Sequence, residues 1–202
     1  MKIVLLVEGR TETAFLPILR GYIHARLPLG KDRPRLTVNR YDGRIPKHER
    51  LKKLVENKVR SGADAVIALT DVYTGSNDFT DANDAKQKMS DWCNGRPRFY
   101  PHAALHDFEA WLLPYWDAIK TLSGSDRAAP AISPEGVNHN KPPARLLAEV
   151  FLQGSKGRAY SKPRDAARIL DEKDLTIAAN ACLELKSFLN RILALSGGTL
   201  IP

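Results

Sequence analysis

The 202-residue sequence contains little cysteine and no long apolar run. Its two cysteines, Cys93 and Cys182, lie far apart and form no CxxC pair, which argues against zinc or disulfides and favours a reducing cytoplasm. Without about 20 consecutive apolar residues, no transmembrane helix is expected. A secretory leader is not expected either, because the first apolar residues run directly into Glu8 without a cleavage site. The phosphate-loop pattern GxxxxGK[ST] is missing, which disfavours a phosphotransferase or primase.

Positive charge is plentiful by comparison. The chain carries 31 Lys and Arg against 23 Asp and Glu, a formal net charge of +8. This balance favours a polyanionic partner such as DNA or RNA. It is equally compatible with a basic protein that binds no polyanion. The bases cluster within residues 48–60, 96–98 and 154–168.

Apolar patterns predict that strands alternate with helices over the first 120 residues. The four predicted strands are residues 2–7, 35–41, 63–71 and 98–106. The four predicted helices are residues 12–27, 46–60, 81–93 and 107–120. Pro114 is expected to bend the last of these helices. The alternation predicts an α/β fold with a four-stranded, mainly parallel sheet flanked by helices.

The sequence pattern of residues 121–202 predicts a C-terminal helical annex. Residues 121–141 have the prolines and serines of a loop. Three further helices are predicted at residues 143–152, 163–171 and 174–195. We therefore expect an α/β core over residues 1–120 and an annex over residues 121–202, packed together as one structural unit.

Acidic side chains stand where the predicted strands end. Glu8 ends the first strand, Asp42 the second and Asp71 the third. The fourth strand runs into His106, Asp107 and Glu109. Because ligands bind beyond the carboxyl ends of parallel strands, we expect these side chains to meet at one edge of the sheet.

Several carboxylates at one place need a cation or protons between them. A pair about 4 Å apart repels by about 4 kcal/mol at an effective dielectric constant near 20. Oxygen ligands select Mg²⁺ or Mn²⁺, and such ions support phosphodiester cleavage. Glu12, one turn into the first helix, either reaches such an ion through water or caps its helix. The alternative for all these acids is that they only cap or stabilise the helices that follow the strands.

The segment "VEGRTETAF", residues 7–15, looks like the opening motif of Toprim-type domains. These domains are the metal-binding unit of topoisomerases, primases and the overcoming-lysogenization-defect (OLD) nucleases. The whole chain resembles more closely the DUF4276 family, whose members carry such a Toprim-like core. The pieces that support this are "LLVEGRTETAFLPIL", "LTDVYTGSNDF", "FYPHAALHDFEAWLL", "PEGVNHNKPPARLL" and "YSKPRDAARILDEKDL". Of these, "HDFEAWLL" and "PEGVN" are the family-specific ones.

The resemblance implies a Mg²⁺- or Mn²⁺-dependent nuclease acting on DNA or RNA, with an ATPase partner in anti-phage defence. Carried over by motif, it assigns metal binding to Glu8, Asp71 and Glu109. It assigns catalytic roles to Glu8, Glu12, His106 and Lys162. His106 would orient a carboxylate or contact phosphate, and Lys162 would neutralise charge on a phosphate. The alternatives are a buried structural histidine and an ordinary surface lysine.

The sequence departs from the Toprim pattern after the third strand. Toprim domains carry Asp-x-Asp there, whereas Tyr73 stands in place of the second aspartate. Asn77 or Asp78 would replace it, or the site holds a single ion. The departure supports an alternative function, a catalytically inactive Toprim-like subunit that binds nucleic acid or a partner protein. Cys182 lies where the family has "CPHF" and here reads "CLEL", so we expect it to be a core residue.

Overall fold

The computed structural model describes residues 1–41, 43–72, 78–137 and 141–202. Four strands form one sheet, in the order β2-β1-β3-β4, and each pair of neighbours is parallel. The strands are β1 (Lys2–Val7), β2 (Arg35–Arg40), β3 (Ala65–Val72) and β4 (Phe99–Leu105). The predicted α/β class is confirmed, and the sheet is parallel throughout.

Helices connect the strands and continue after the sheet. Those between strands are α1 (Arg10–Ala25), α2 (His48–Arg60) and α3 (Ala82–Trp92). Those after β4 are α4 (Trp116–Ser123), α5 (Pro143–Gln153), α6 (Lys162–Leu170), α7 (Leu175–Ala181) and α8 (Leu183–Ser196). In the part of the chain that the structure describes, no helix is both long and apolar enough to span a bilayer.

Alternate residues of the strands enter two hydrophobic clusters, one on each face of the sheet, because successive side chains of a strand point to opposite sides. Val4 and Leu6 of β1 pack with Leu51, Val55 and Met89 of α2 and α3. The other face is covered by α1 and the later helices. Its cluster includes Ile3, Leu5, Phe15, Trp111, Val150, Ile169 and Phe188. The later helices therefore share one core with the sheet.

Residues 107–120 do not form one bent α-helix. Phe108–Tyr115 is a 3₁₀ helix that contains Pro114, and α4 follows it directly. Seven of the eight side chains of the 3₁₀ helix are buried. Burial on all sides explains why the apolar pattern there has no clear period. This segment brings Glu109 into the interior.

The single last helix predicted for residues 174–195 is wrong, because the chain breaks at Cys182. Its φ of −131° and ψ of 104° are extended, and α7 and α8 lie on either side of it. The Glu135 carboxylate accepts hydrogen bonds from the backbone N–H groups of Leu183 at 2.8 Å and Glu184 at 2.9 Å. The glutamate of "PEGVN" thus caps α8 from a distant loop. Cys182 is fully buried, as expected of a core residue.

Candidate active-site cleft

A cleft of about 280 Å³ opens at the carboxyl edge of the sheet. Its described lining comes from the ends of β1 and β3, the first turn of α1, the 3₁₀ helix and the first turn of α6. The lining residues are Glu8, Gly9, Arg10, Thr11, Glu12, Gly43, Asp71, Phe108, Glu109, Lys162 and Pro163. Five of the six predicted site residues are therefore brought to one place.

Glu8 follows the last residue of β1 and is held by β3. Its Oε1 accepts a hydrogen bond from the Thr70 hydroxyl and another from the Asp71 backbone N–H at 3.1 Å. Burial raises the pKa of Glu8 to about 7, and repulsion from Glu12 adds to this. The two hydrogen bonds and the charge of Arg44 oppose the shift. Glu8 therefore exchanges a proton near neutral pH.

Glu12 takes the capping role, one of the two alternatives that the sequence left open, and it also lies in the cleft wall. Its Oε2 accepts a hydrogen bond from the Gly9 backbone N–H at 3.2 Å, so it caps the start of α1. It is also buried and lines the cleft. Burial raises its pKa, and the charge of Glu109 adds to the rise. The cap therefore fixes a carboxylate in the cleft wall.

Asp71 is the second-to-last residue of β3 and is only partly exposed. Burial raises its pKa well above the usual value, and the nearby charges of Glu8 and Glu12 raise it further. Asp71 also lines a smaller adjoining hollow that includes Arg44 and Asp78. The negative charges of Glu8, Glu12, Asp107 and Glu109 thus all act to raise the pKa of Asp71.

Glu109 and Asp107 form the buried wall of the cleft region, at 1% and 0% exposure. Glu109 Oε2 accepts a hydrogen bond from Lys162 Nζ at 3.3 Å, and Asp107 Oδ2 accepts one from the Ala144 N–H at 3.1 Å. Their other oxygens, Glu109 Oε1 and Asp107 Oδ1, accept no hydrogen bond of good geometry within the described part of the chain, although the Tyr160 hydroxyl lies close enough to Glu109 to lower its pKa. Burial, followed by repulsion from Glu109, raises the pKa of Asp107 to about 7.

Lys162 is the cation that faces these acids. Burial acts to lower its pKa, but attraction to Glu109, Asp107 and Asp71 outweighs this effect and raises the pKa. The same lysine opposes the effect of burial on Glu109, although the net shift of the Glu109 pKa is upward. Lys162 therefore stays charged and keeps part of its side chain, 48%, exposed at the cleft mouth.

His106 is the predicted site residue that does not line the cleft in the described structure. It is buried directly after β4, with a left-handed φ of 36°. Such a backbone conformation is uncommon for a residue other than glycine. It turns the chain sharply where β4 gives way to the segment that carries Asp107 and Glu109. In the described structure, His106 stands at this turn and not in the cleft lining.

The other carboxylate expected after β3 is already paired. Asp78 binds Arg44 at 2.8 Å and Lys47 at 2.5 Å, and the hydrogen bond from Lys47 is the largest cause of its lowered pKa. Asp42, Tyr73 and Asn77, which the sequence also singled out, lie outside the described residues. Asp78 therefore adds no uncompensated charge to the cleft.

Most of the basic tail segment has a structural role. Arg158 binds both oxygens of the fully buried Asp165, at 2.8 and 3.0 Å, and Arg164 binds them at 3.2 and 3.3 Å. Burial alone would raise the pKa of Asp165, but these hydrogen bonds lower it to about 2. Arg158 also lies 4.6 Å over the Phe151 ring. Of the bases clustered within residues 154–168, Lys162 is the one that lines the cleft.

The donor chemistry of the cleft suits an oxygen-preferring divalent ion. The ligands on offer are carboxylates, and Glu109 Oε1 is a buried oxygen of the kind that a bound cation would satisfy. As the described side chains stand, no three His, Cys, Asp or Glu residues form a group that could hold a metal ion. The residues therefore fit Mg²⁺ or Mn²⁺ by chemistry, and their spacing does not complete a ligand set.

A family model described as "Domain of unknown function (DUF4276)" matches residues 7–193. The chain belongs to this family. All the cleft residues named above lie within the matched range. Glu135, which caps α8, lies within it as well. No curated protein and no solved structure matches the chain. Membership of DUF4276 is confirmed, whereas the Toprim-like character of the core stays a prediction.

Sequence reasoning missed two residues at or beside this DUF4276 cleft, Thr70 and Arg10, and it gave no partner for a third, Asp107. Thr70 binds Glu8, Asp107 lies behind Glu109, and Arg10 is an exposed base in the lining. Arg10 and Thr70 adjoin residues that were singled out, so the strand-end argument could have included them. Asp107 was among the acids expected at this edge of the sheet, but the sequence does not show that it lies next to Glu109.

Proposed function

We propose that this DUF4276 protein is a divalent-metal-dependent nuclease that hydrolyses phosphodiester bonds of DNA or RNA. The observation that carries the proposal is the gathering of Glu8, Glu12, Asp71 and Glu109 in one cleft, each with a raised pKa. Buried carboxylates that lack enough cationic partners favour the binding of a cation or of protons. A polyanionic substrate then needs that positive charge in order to approach.

Glu8, Asp71 and Glu109 would hold Mg²⁺ or Mn²⁺. When bound, such an ion supplies Lewis-acid stabilisation of the negative charge that develops on a phosphoryl group. With those carboxylates engaged, Glu12 is the remaining acid in the lining that is placed to accept or donate a proton. Its cap to Gly9 fixes its position at the start of α1.

The cations at the cleft mouth suit a phosphate backbone. Arg10 is exposed at the first position of α1, and Lys162 is partly exposed at the first position of α6. Both helix starts also present backbone N–H groups, which favour anions. We therefore propose that Arg10 and Lys162 bind phosphates of the substrate on either side of the acids.

The wider setting of this proposal rests on the family resemblance. We propose an ATPase partner and a role in anti-phage defence on that ground. A cytoplasmic location agrees with Cys93 and Cys182 being free thiols. The net charge of +8 favours nucleic acid as the substrate.

A second candidate function is a catalytically inactive subunit that binds nucleic acid or a partner protein. The contact between Lys162 and Glu109 favours it, because a lysine then supplies the positive charge that an ion would bring. The tyrosine at position 73, where Toprim domains carry aspartate, favours it as well. This candidate predicts salt-sensitive binding without cleavage, and a chelator leaves that binding unchanged.

The test uses the full chain with labelled single- and double-stranded DNA and RNA, in Mg²⁺, Mn²⁺ or EDTA. We expect cleavage only with a divalent ion, and a loss of at least about 100-fold in Glu8→Ala and Asp71→Ala. Glu49→Gln, which changes an exposed acid on α2, is the matched control and should retain activity. Cleavage that survives both cleft substitutions would contradict the proposal. Binding with no cleavage in any ion would favour the second candidate.

A further inference from the structure

Thr70 makes a contact that the proposed function does not use. It is buried on β3, at 2% exposure, next to Asp71. Its hydroxyl donates a hydrogen bond to Glu8 Oε1, and the backbone N–H of Asp71 donates to the same oxygen at 3.1 Å. A single carboxylate oxygen thus receives two donors from one strand. Within the described residues, no hydrogen bond reaches Glu8 Oε2.

Strand register explains how these groups meet. Leu6 of β1 lies opposite Ala68 of β3 in the parallel ladder. Two residues further along both strands, Glu8 therefore stands beside Thr70. Because threonine is branched at Cβ, its side chain has few rotamers and holds its hydroxyl in a defined direction. The hydroxyl must be the donor in this contact when Glu8 is ionised, because a carboxylate only accepts.

We infer that Thr70 is a positioning residue for Glu8. By holding Oε1 against β3, Thr70 and the Asp71 N–H leave Oε2 as the oxygen that Glu8 presents to the cleft. The part of this inference that concerns a cation rests on the proposed function. The part that concerns the orientation of Glu8 does not depend on any ion.

A purely structural role for Thr70 makes a different prediction. A second acceptor near its hydroxyl is the Asp71 carbonyl oxygen at 3.5 Å, which is too long for a strong hydrogen bond, and the Tyr41 hydroxyl also lies nearby. If Thr70 served only to fill the core, its replacement by valine would alter stability and leave the cleft unchanged. If it positions Glu8, the same replacement alters what the cleft binds.

The first experiment measures Mn²⁺ affinity by electron paramagnetic resonance for the wild-type chain, Thr70→Val and Thr70→Ser. Loss of a hydrogen bond to a metal ligand typically weakens metal binding by about 10- to 100-fold, and we expect this for Thr70→Val. Thr70→Ser retains the hydroxyl and should restore the wild-type affinity. Thr37→Val, which changes a partly buried threonine of β2, is the matched control and should bind as the wild type does. Wild-type affinity in Thr70→Val would overturn the inference.

The second experiment needs no metal and separates this inference from the proposed function. Three-bond couplings measured by nuclear magnetic resonance report the side-chain rotamers of Glu8 in the metal-free chain. We expect one rotamer in the wild type and in Thr70→Ser, and rotamer averaging in Thr70→Val. If the wild type binds no Mn²⁺, the proposed metal site fails, while these couplings still decide the role of Thr70. A single unchanged Glu8 rotamer in Thr70→Val would overturn that role.

Discussion

Buried carboxylates occur in two regions of this fold, and their surroundings are opposite. Asp165 is fully buried between Arg158 and Arg164, and their hydrogen bonds lower its pKa to about 2 despite burial. The partly buried Glu8 and the fully buried Asp107 lie among other acids, and burial with that repulsion raises the pKa of each to about 7. The chain thus compensates one buried charge internally and leaves the others under-compensated. That deficit is the physical basis of the proposed cation site.

The segment from residue 158 to residue 165 connects the two regions. Asp165 also accepts a hydrogen bond from the Ser161 N–H at 2.7 Å, which fixes the start of α6. Lys162 extends from that start to Glu109. The well-compensated carboxylate therefore anchors Lys162, the lysine of the described cleft lining.

Removing the charge of Asp165 in the compensated region should have the largest effect on the free energy of unfolding. Asp165→Asn leaves Arg158 without its carboxylate in a partly buried position, and loss of one partner of a buried ion pair typically costs about 3–5 kcal/mol. We expect the free energy of unfolding to fall by about 3 kcal/mol, measured by urea denaturation followed by circular dichroism. Asp126→Asn, at an exposed loop acid, is the control and should change little. A loss below about 1 kcal/mol in Asp165→Asn would contradict the comparison.

Adding a cation to the cleft should have the next largest effect. An ion that binds only the folded chain stabilises it by about 2.7 kcal/mol at 100 times its dissociation constant. We expect Mn²⁺ to raise the free energy of unfolding of the wild type by about this amount. The rise should vanish in Glu8→Gln and persist in Glu49→Gln. An equal rise in Glu8→Gln would show that the ion binds elsewhere.

Replacing aspartate by asparagine should change the free energy of unfolding in opposite directions in the two regions. Asp107→Asn removes a charge near Glu109 and keeps an oxygen to accept the Ala144 N–H. At about pH 8 without divalent ions, we expect it to raise the free energy of unfolding by about 1 kcal/mol, whereas Asp165→Asn lowers it. Urea denaturation of both variants at one pH makes the comparison. Destabilisation by Asp107→Asn of the size seen for Asp165→Asn would show that the regions do not differ.

The strands and the meeting of the cleft acids were predictable from the sequence. Buried parallel strands are short apolar runs, and parallel connection places Glu8 and Asp71 at one edge of the sheet. The break at Cys182 was not predictable, because its cap comes from Glu135, 48 residues before Leu183. The local apolar period continues through such a break.

Charge pairing was the part of the site that the sequence could not show. Arg158, Arg164 and Lys162 look alike as members of one basic segment, and composition does not show which of them is directed at a buried acid. Asp165 stands among them as one acid among several bases. Only side-chain placement distinguishes the two arginines that stabilise the fold from the lysine that reaches the cleft.

The pH dependence of stability should show both regions in one curve. Glu8 and Asp107 have folded-state pKa values of about 7, above their usual 4.5 and 3.8, so the folded chain binds their protons more tightly than the unfolded chain. Without divalent ions, the free energy of unfolding should therefore rise by about 1 kcal/mol as the pH falls from about 8 to about 5.5. Asp165 has the opposite sign, because its contribution is present above 3.8 and is lost as the pH falls towards 2.

Single substitutions show which region causes the neutral limb of that curve, between about pH 8 and about pH 5.5, and which causes the acid limb, below about pH 4. Urea denaturation across the pH range should show that Asp107→Asn flattens the rise between about pH 8 and about pH 5.5 and leaves the acid limb unchanged. Asp165→Asn should flatten the fall below about pH 4 and leave the neutral limb unchanged. A wild-type curve that is level or falling between about pH 8 and about pH 5.5 would mean that the cleft carboxylates are compensated after all. The cleft would then have no electrostatic reason to bind a cation.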